Sequence, residues 1–244
     1  MSRRPRRRHG EESPETIWLR PEPARRRARR QIDVEDITRT ALSIADAQGP
    51  DAVSMRNVAA ALNVGTMTLY SYVQSKDDLL DLMQDAVMAE LVVPGELPHD
   101  WRAAMREIAV RSHAAFLRHP WLATSAGRRP SVGPNAMRHI EQSLAAVAGM
   151  GLDDGGMLAV IAAVDDYVIG HAFRRVTFEA SRREFYAPYI ERMLAKREFP
   201  NLERLYRGGF GNRMTDPERF ERGLDWLLEG IAAELTRRRR GRRG

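Results

Sequence analysis

Residues 54–76 read SMRNVAAALNVGTMTLYSYVQSK. At helical period Val58, Ala59 and Leu62 share one face. Ser54 stands ahead of this run and can cap it, its oxygen accepting an N–H of the first turn. The run stops at Asn63-Val64-Gly65. Asparagine tolerates the left-handed conformation and glycine carries no Cβ, so a tight turn costs little there. A second short helix fits 66–72, with Leu69, Val73 and Val64 pointing back at the first. Thr66, Met67, Thr68, Ser71 and Tyr72 then face outward, and Tyr70 lies to the side. Two short helices, a tight turn and an outer face of small polar and aromatic groups describe a helix-turn-helix. The second helix of such a unit enters the major groove of DNA.

Working outward, a helix over 34–48 precedes this unit. Asp33 caps it with Asp36 in the box position, Ile37, Ala41, Ile44 and Ala45 form its apolar stripe, and Gly49-Pro50 stops it. On the other side Ser75 caps a further helix, with Asp78 three residues on and Leu79, Leu80, Leu82 and Met83 following. That helix ends near 92, before Pro94-Gly95.

From 100 to 235 the signals are helical throughout. A helix over 101–118 uses Met105, Ile108, Ala109, Phe116 and Leu117, and His119-Pro120-Trp121 breaks it. A short helix and the loop 127–134 follow. Residues 135–149 form another helix through Met137, Ile140, Leu144 and Val147. Asp153 can cap a long helix to about 178, and a less defined helix covers 182–197. The stretch 201–215, with Gly208, Gly209 and Gly211, reads as a loop. Pro217, at a first-turn position after Asp216 as cap, opens the last helix. It carries Phe220, Leu224, Leu227, Leu228, Ile231 and Leu235 as one stripe. Gly223 and Gly230 lie on an adjacent line. Each costs about 1 kcal/mol against alanine in a helix interior, so close backbone approach is a sensible compensation. No stretch alternates with period two, and the fold class is all-α.

The stretch SMRNVAAALNVGTMTLYSYVQSKDDLL resembles the DNA-binding signature of the tetracycline-repressor-like (TetR) regulators. The carrying residues are the hydrophobic-Ala-x-x-Leu run Val58–Leu62, then Leu69-Tyr70, Val73-x-Ser75-Lys76 and Leu79. The likeness is strong over about 33–80 and weaker beyond. Members usually have Ser or Glu where this chain has Gly65, and often Pro, Ala or Arg at neighbouring outward positions. Those changes leave the fold intact and alter which operator is read. The resemblance implies a three-helix DNA-binding head and a larger helical body that binds a ligand and dimerises, with the helix after Ser75 joining the two.

The net charge of +6 conceals a split. Residues 1–30 hold 11 Arg and 4 Glu, and 237–244 hold 6 Arg and no acid, so 31–236 is acidic by 7 charges. Two cationic arms on an acidic body suit contact with a polyanion. A chain with 37 Arg and 2 Lys also fits a coding bias, and solvated basic tails are common. Residues 1–30 lack periodicity and contain four prolines, which reads as disordered or extended, with Ile17-Trp18-Leu19 an apolar island in them. No cysteine is present, which removes disulfides and Cys-ligated zinc. The longest apolar run, 157–164, ends in Asp165-Asp166 and is too short to span a membrane, and no secretory leader precedes the first helix. The chain reads as soluble and cytoplasmic.

Enzyme signatures are missing from the sequence. The six histidines form no HExxH and no i, i+4 pair, no GxxxxGK[ST] loop occurs, and the Gly208–Gly211 cluster follows no strand. The adjacent Asp165 and Asp166 point to different helix faces. The expectation is a non-enzyme without a cofactor or metal.

What the resemblance implies can be placed residue by residue. Arg56 matches a position that reaches a base or phosphate. Thr66, Met67 and Thr68 open the recognition helix, where threonine can bond base edges and apolar groups can pack on a thymine methyl. Tyr70 and Tyr72 match phosphate or sugar contacts, and Lys76 a phosphate contact aided by the helix dipole. The effector cavity would be walled by Ile108, Ser112, His113 and Phe116 together with Asp166, Tyr167, His171 and Phe173 or Phe178, most of which also suit an ordinary core. Apolar walls with few polar groups suit an apolar effector. The tetracycline repressor's magnesium site uses a histidine in the region of Thr124-Ser125-Ala126-Gly127, which has none here, so a metal-free ligand is expected. The last helix, through Phe220, Leu224, Leu227, Leu228 and Ile231, and the long helix 154–178 would form the dimer interface. The reading divides the chain into an arm 1–30, a head 31–80, a body 81–236 and a basic tail 237–244. It implies a ligand-responsive repressor that binds a palindromic operator in double-stranded DNA as a homodimer, with no membrane partner. The alternative is a ligand-independent DNA-architectural protein, for which a body of this size is excessive.

Overall fold

A computed structural model describes residues 16–19, 32–125, 132–177, 180–208 and 217–241. Among these residues the regular structure is helical, with no strand. The chain divides into two compact units, Met1–Met83 and Gln84–Gly244.

The first unit holds α1 (Val34–Gln48), α2 (Met55–Ala61) and α3 (Thr66–Tyr70). Local signals set their limits. Asp33 and Asp36 form the reciprocal capping box of α1, at 2.9 and 3.2 Å. Gly49 ends the helix with φ +85°. Ser54 Oγ accepts the Asn57 N–H at 3.1 Å and starts α2. Asn57 is committed a second time, its Nδ2 donating to the Ala52 carbonyl at 2.8 Å. In the turn, Asn63 takes the left-handed conformation with φ +53°, whereas Gly65 has φ −70° and simply precedes α3. The expectation that glycine's freedom serves this turn is therefore corrected: asparagine does that work. Ile37, Ala41, Val53, Val58, Leu69, Val73, Leu79 and Met83 are buried. α4 (Lys76–Leu91) begins here, Ser75 Oγ accepting the Asp78 N–H at 3.0 Å, and continues into the second unit.

The second unit contains α5 (Trp101–Arg118), α6 (Pro120–Ser125), α7 (Pro134–Val147), α8 (Asp154–Thr177), α9 (Ala180–Leu194), α10 (Pro200–Arg207) and α11 (Pro217–Gly241). Asp100 caps α5 through the Ala103 N–H at 2.9 Å, and Asp153 caps α8 through the Gly156 N–H at 2.9 Å. α5, α6, α7 and α11 all pack on α8. The loop expected over 201–215 is wrong for its first part, where Pro200 opens a helix at its first position. The glycines that suggested a loop follow that helix in the sequence rather than interrupt it. The basic tail also differs from expectation: α11 continues to Gly241, and Arg237 and Arg238 both bond Glu234. The proposed cap Asp216, Phe178 and most of the N-terminal arm lie outside the described residues. Ile17–Leu19 forms a single 3₁₀ turn with Leu19 exposed.

The glycines of α11 have separate reasons. A Cβ at Gly223 would run into the Tyr167 hydroxyl of α8, with Cζ of that ring at 2.9 Å. Tyr167 also donates to the Phe220 carbonyl at 2.9 Å. A Cβ at Gly230 would meet nothing within 4 Å. Gly223→Ala should lower stability by about 1–3 kcal/mol through overpacking, read as the denaturant midpoint. Combining it with Tyr167→Phe should recover part of that loss. A neutral Gly223→Ala would mean that α8 and α11 do not approach here.

Candidate functional site

The outward surface of the helix-turn-helix follows from what its inward surface buries. Leu69 and Val73 are fully buried, and Val64 is half-buried. Met67 is 80% exposed and Tyr70 43%. Arg56 and Lys76 are exposed, while Thr66, Thr68 and Tyr72 are half-exposed. Ser71 Oγ bonds the Thr68 carbonyl at 2.6 Å and closes the short α3. So exposed an apolar side chain as Met67 on the outward face is free to pack on an apolar partner group.

In the second unit the eight residues expected to wall a ligand separate into three groups. Ile108, Ser112, His113 and Phe116 are buried on the inner side of α5. Tyr167 and His171 are half-buried on α8 and meet His113 around Phe220. Asp166 and Phe173 are exposed, so the interior placement given to them is corrected: they lie on the open side of α8. The rings form one cluster. His113 stacks on Phe220 at 3.7 Å and 7°, and His113 Nε2 lies 2.9 Å from His171 Nδ1. One imidazole donates to the other, so the pair cannot hold two protons on the facing nitrogens. Burial, then His171 and Arg175, push His113 down to about 4. Burial, then the Arg219, Arg174 and Arg175 charges, hold His171 below its ordinary value as well.

Three buried side-chain atoms have no partner among the described residues: Arg111 Nε, Ser112 Oγ and His139 Nδ1. Ser112 is on α5 and His139 on α7, two helices that pack together. Burial keeps His139 below its ordinary pKa, hence neutral. Orphaned buried polar groups are rare, and a bound molecule or water is the usual remedy. The sequence reading missed His139 because a single histidine on an amphipathic helix carries no motif. A groove of about 640 Å³ lies elsewhere, along the outer side of α5 between Pro98 and Arg118, and includes none of the eight expected residues.

The dimer expectation also needs correction. Phe220, Leu224 and Leu228 are buried within the chain itself, where α11 packs on α5 and α8. They are unavailable to a second copy. Leu227 and Ile231 are half-exposed, and Trp226, at 68% exposure, lies outward with Gly230. Among the described side chains of α8 only the line Val160, Val164, Val168 and Ala172 is buried, and Leu158 is 57% exposed. Asp165, on the shoulder of that line, is pushed up to about 6 by burial and then by Asp166.

Known proteins resemble this chain in sequence and in fold. Residues 37–83 match the family described as bacterial regulatory proteins, tetR family, and 93–235 match the tetracyclin repressor-like C-terminal domain. The chain is 37% identical over 219 residues to the HTH-type transcriptional repressor DrrR1 of Streptomyces coeruleorubidus, covering 85% of this chain and 80% of that protein. It is 33% identical over 227 residues to an HTH-type transcriptional regulator of Saccharopolyspora erythraea, covering 91% and 94%. Its structure is similar to ActR from Streptomyces coelicolor, with a TM-score of 0.67 and 31% identity over 84% of this chain and 98% of that one. ActR has also been solved in complex with actinorhodin.

The buried histidines make stability depend on pH. An unfolded histidine takes up a proton near its ordinary value, while folded His113 resists until about pH 4. Across that window the unfolded state binds more protons, so stability is lost as pH falls from about 6.5 to about 4. Thermal unfolding between pH 7.5 and 4.5 should show this, and His113→Phe should flatten the dependence. An unchanged slope in that variant would place the titration elsewhere.

Proposed function

The chain belongs to the tetracycline-repressor family of helix-turn-helix transcriptional regulators, and from that premise we propose a ligand-released repressor. In this reading two copies bind one near-palindromic operator, each placing α3 in a major groove. Arg56, Thr66, Met67, Thr68, Tyr70, Tyr72 and Lys76 make the contacts. The supporting observation is the pairing of a buried Leu69–Val73 anchor with an outward row that includes Met67 at 80% exposure. Phosphate contacts from Lys76 and the tyrosines set position, and the threonines and Met67 read bases.

The homodimer rests on surface that one chain leaves open. Contiguous exposed apolar patches mark interaction sites. Leu158 and Phe173 on α8, and Trp226 and the open Gly230 on α11, are the exposed apolar positions on which the interface is proposed. The effector enters the body between α5 and α7, where Ser112 Oγ and His139 Nδ1 lack partners. Both atoms are buried and the histidine is neutral, so the effector in this reading is a mostly apolar molecule with one or two hydrogen-bonding oxygens. The relative seen with actinorhodin shares this fold and supports a body that holds a small molecule. The effector acts only if it binds the released state more tightly than the DNA-bound state.

Selection of fragments from random DNA with the purified protein tests the core of this reading, and a two-fold symmetric consensus is the expected result. On that site Thr68→Ala and Tyr70→Ala should each cost about 1–3 kcal/mol, with little change on random DNA. Lys76→Ala should weaken both and reduce the salt slope by about 1. Equal losses on both DNAs for Thr68→Ala would remove α3 as the reader.

Leu158→Glu with Trp226→Glu should give a folded monomer by sedimentation, because both side chains are exposed in the single chain. That monomer should lose the selected site. A double variant that still sediments as a dimer would refute this interface.

A further inference from the structure

The start of α7 lacks a cap of its own. Gly133 stands at the N-cap without a side-chain bond, and Pro134 at the first helical position has no N–H. The first-turn donors are therefore Asn135 N and Ala136 N, and both go to one oxygen of Asp85, at 2.9 and 3.0 Å. The other oxygen of Asp85 accepts Asn135 Nδ2 at 2.9 Å, and the same amide reaches the Asp85 carbonyl at 3.2 Å. Asp85 belongs to α4 and is 3% exposed. A carboxylate at a helix N-terminus is favoured by the helix dipole, and its bonds to backbone N–H groups are charge-assisted. Further along, Gln142 on α7 brackets Val93, just past α4. Its Oε1 accepts the Val93 N–H and its Nε2 donates to the Val93 carbonyl, both at 2.8 Å. The two ties come in the same order along both segments, so they fix the register of α7 against the end of α4 at two points.

We propose that Asp85 is the positioning residue through which the state of the body reaches the head. By capping α7 from α4, it makes the placement of α4 depend on the start of α7. α7 carries His139, one of the orphaned polar groups, so a molecule that reshapes its packing also moves its N-terminus. α4 cannot follow its own course without stripping α7 of both first-turn bonds and leaving a buried carboxylate without partners. Coupling is reciprocal, so DNA bound to the head must in turn be felt at the start of α7. The inference rests on the proposed function in one respect, that the head binds DNA.

The test uses the full chain and a DNA fragment selected by the protein itself, with hydrogen exchange as the readout. DNA should slow exchange over 55–72, and should change it severalfold over 135–140. Asp85→Asn puts an amide NH₂ against Asn135 Nδ2, donor against donor, and Asn135→Asp puts carboxylate against carboxylate. Each should keep the DNA effect at 55–72 and lose it at 135–140. The exchanged pair, Asp85→Asn with Asn135→Asp, restores the side-chain donor and acceptor, though not the bond to the residue 85 carbonyl, and should restore part of the effect. Asn135→Ala, which keeps both backbone bonds, should give a partial loss and serves if the charge variants fold poorly. Protection at 55–72 with no change at 135–140 in the native chain would overturn the inference and leave DNA binding intact. An undiminished effect in Asp85→Asn, or an exchanged pair that restores none of it, would also overturn it. If no fragment is selected, the functional reading fails and the inference with it.

Discussion

A long apolar helix needs cover, and within the chain α8 is covered along one line. Its stretch Asp154–Val176 is long and apolar enough to cross a membrane by composition alone, yet little of it is buried. α5, α6, α7 and α11 pack along the buried line Val160, Val164, Val168 and Ala172. The rest of the body takes its arrangement from this requirement. α11 comes close enough to need glycine at 223 and receives a tyrosine hydroxyl on its own carbonyl. Asp165 and Asp166 interrupt the apolar run where the covered and open sides meet, and burial, then the neighbouring Asp166, raises the Asp165 carboxyl above its ordinary value.

The polar groups inside the body do a second job. Hydrophobic packing alone tolerates sliding, because many neighbouring registers bury nearly the same area. Hydrogen bonds do not tolerate it. The pair His113–His171 ties α5 to α8, Tyr167 ties α8 to α11, and Glu90 ties α4 to Arg118 and His119 at the end of α5. Burial depresses His113 and His171, so the tie between α5 and α8 is made by neutral rings at ordinary pH and needs no counter-ion.

Much of the head was legible because its signals are local. The box at Asp33–Asp36, the serine caps and the Leu69–Val73 anchor all lie within a few residues of what they fix. The body was legible as helices and less so in their orientation. The stripe on α11 is wider than one neighbour needs, and periodicity cannot say which edge faces inward. Phe220, Leu224 and Leu228 took the intrachain side, leaving Trp226, which the stripe had passed over, exposed. α10 was hidden by the glycines that follow it. The role of Asp85 was invisible, since its partners lie 50 and 51 residues away and an aspartate within a helix carries no signal of its own.

The borrowed cap of α7 has a consequence for how the chain acquires its structure. Short helices are marginal in water, and one that opens on glycine and proline has no side-chain cap of its own to hold its first turn. That turn gains its partner only when the segment around Asp85 has come alongside, closing a loop of about fifty residues. The beginning of α7 must then form late and cooperatively with α4, whereas self-capped α1, α5 and α8 can begin alone. Pulse-labelled exchange during refolding would show it, and amides at 135–140 protected before those at 84–91 would contradict it.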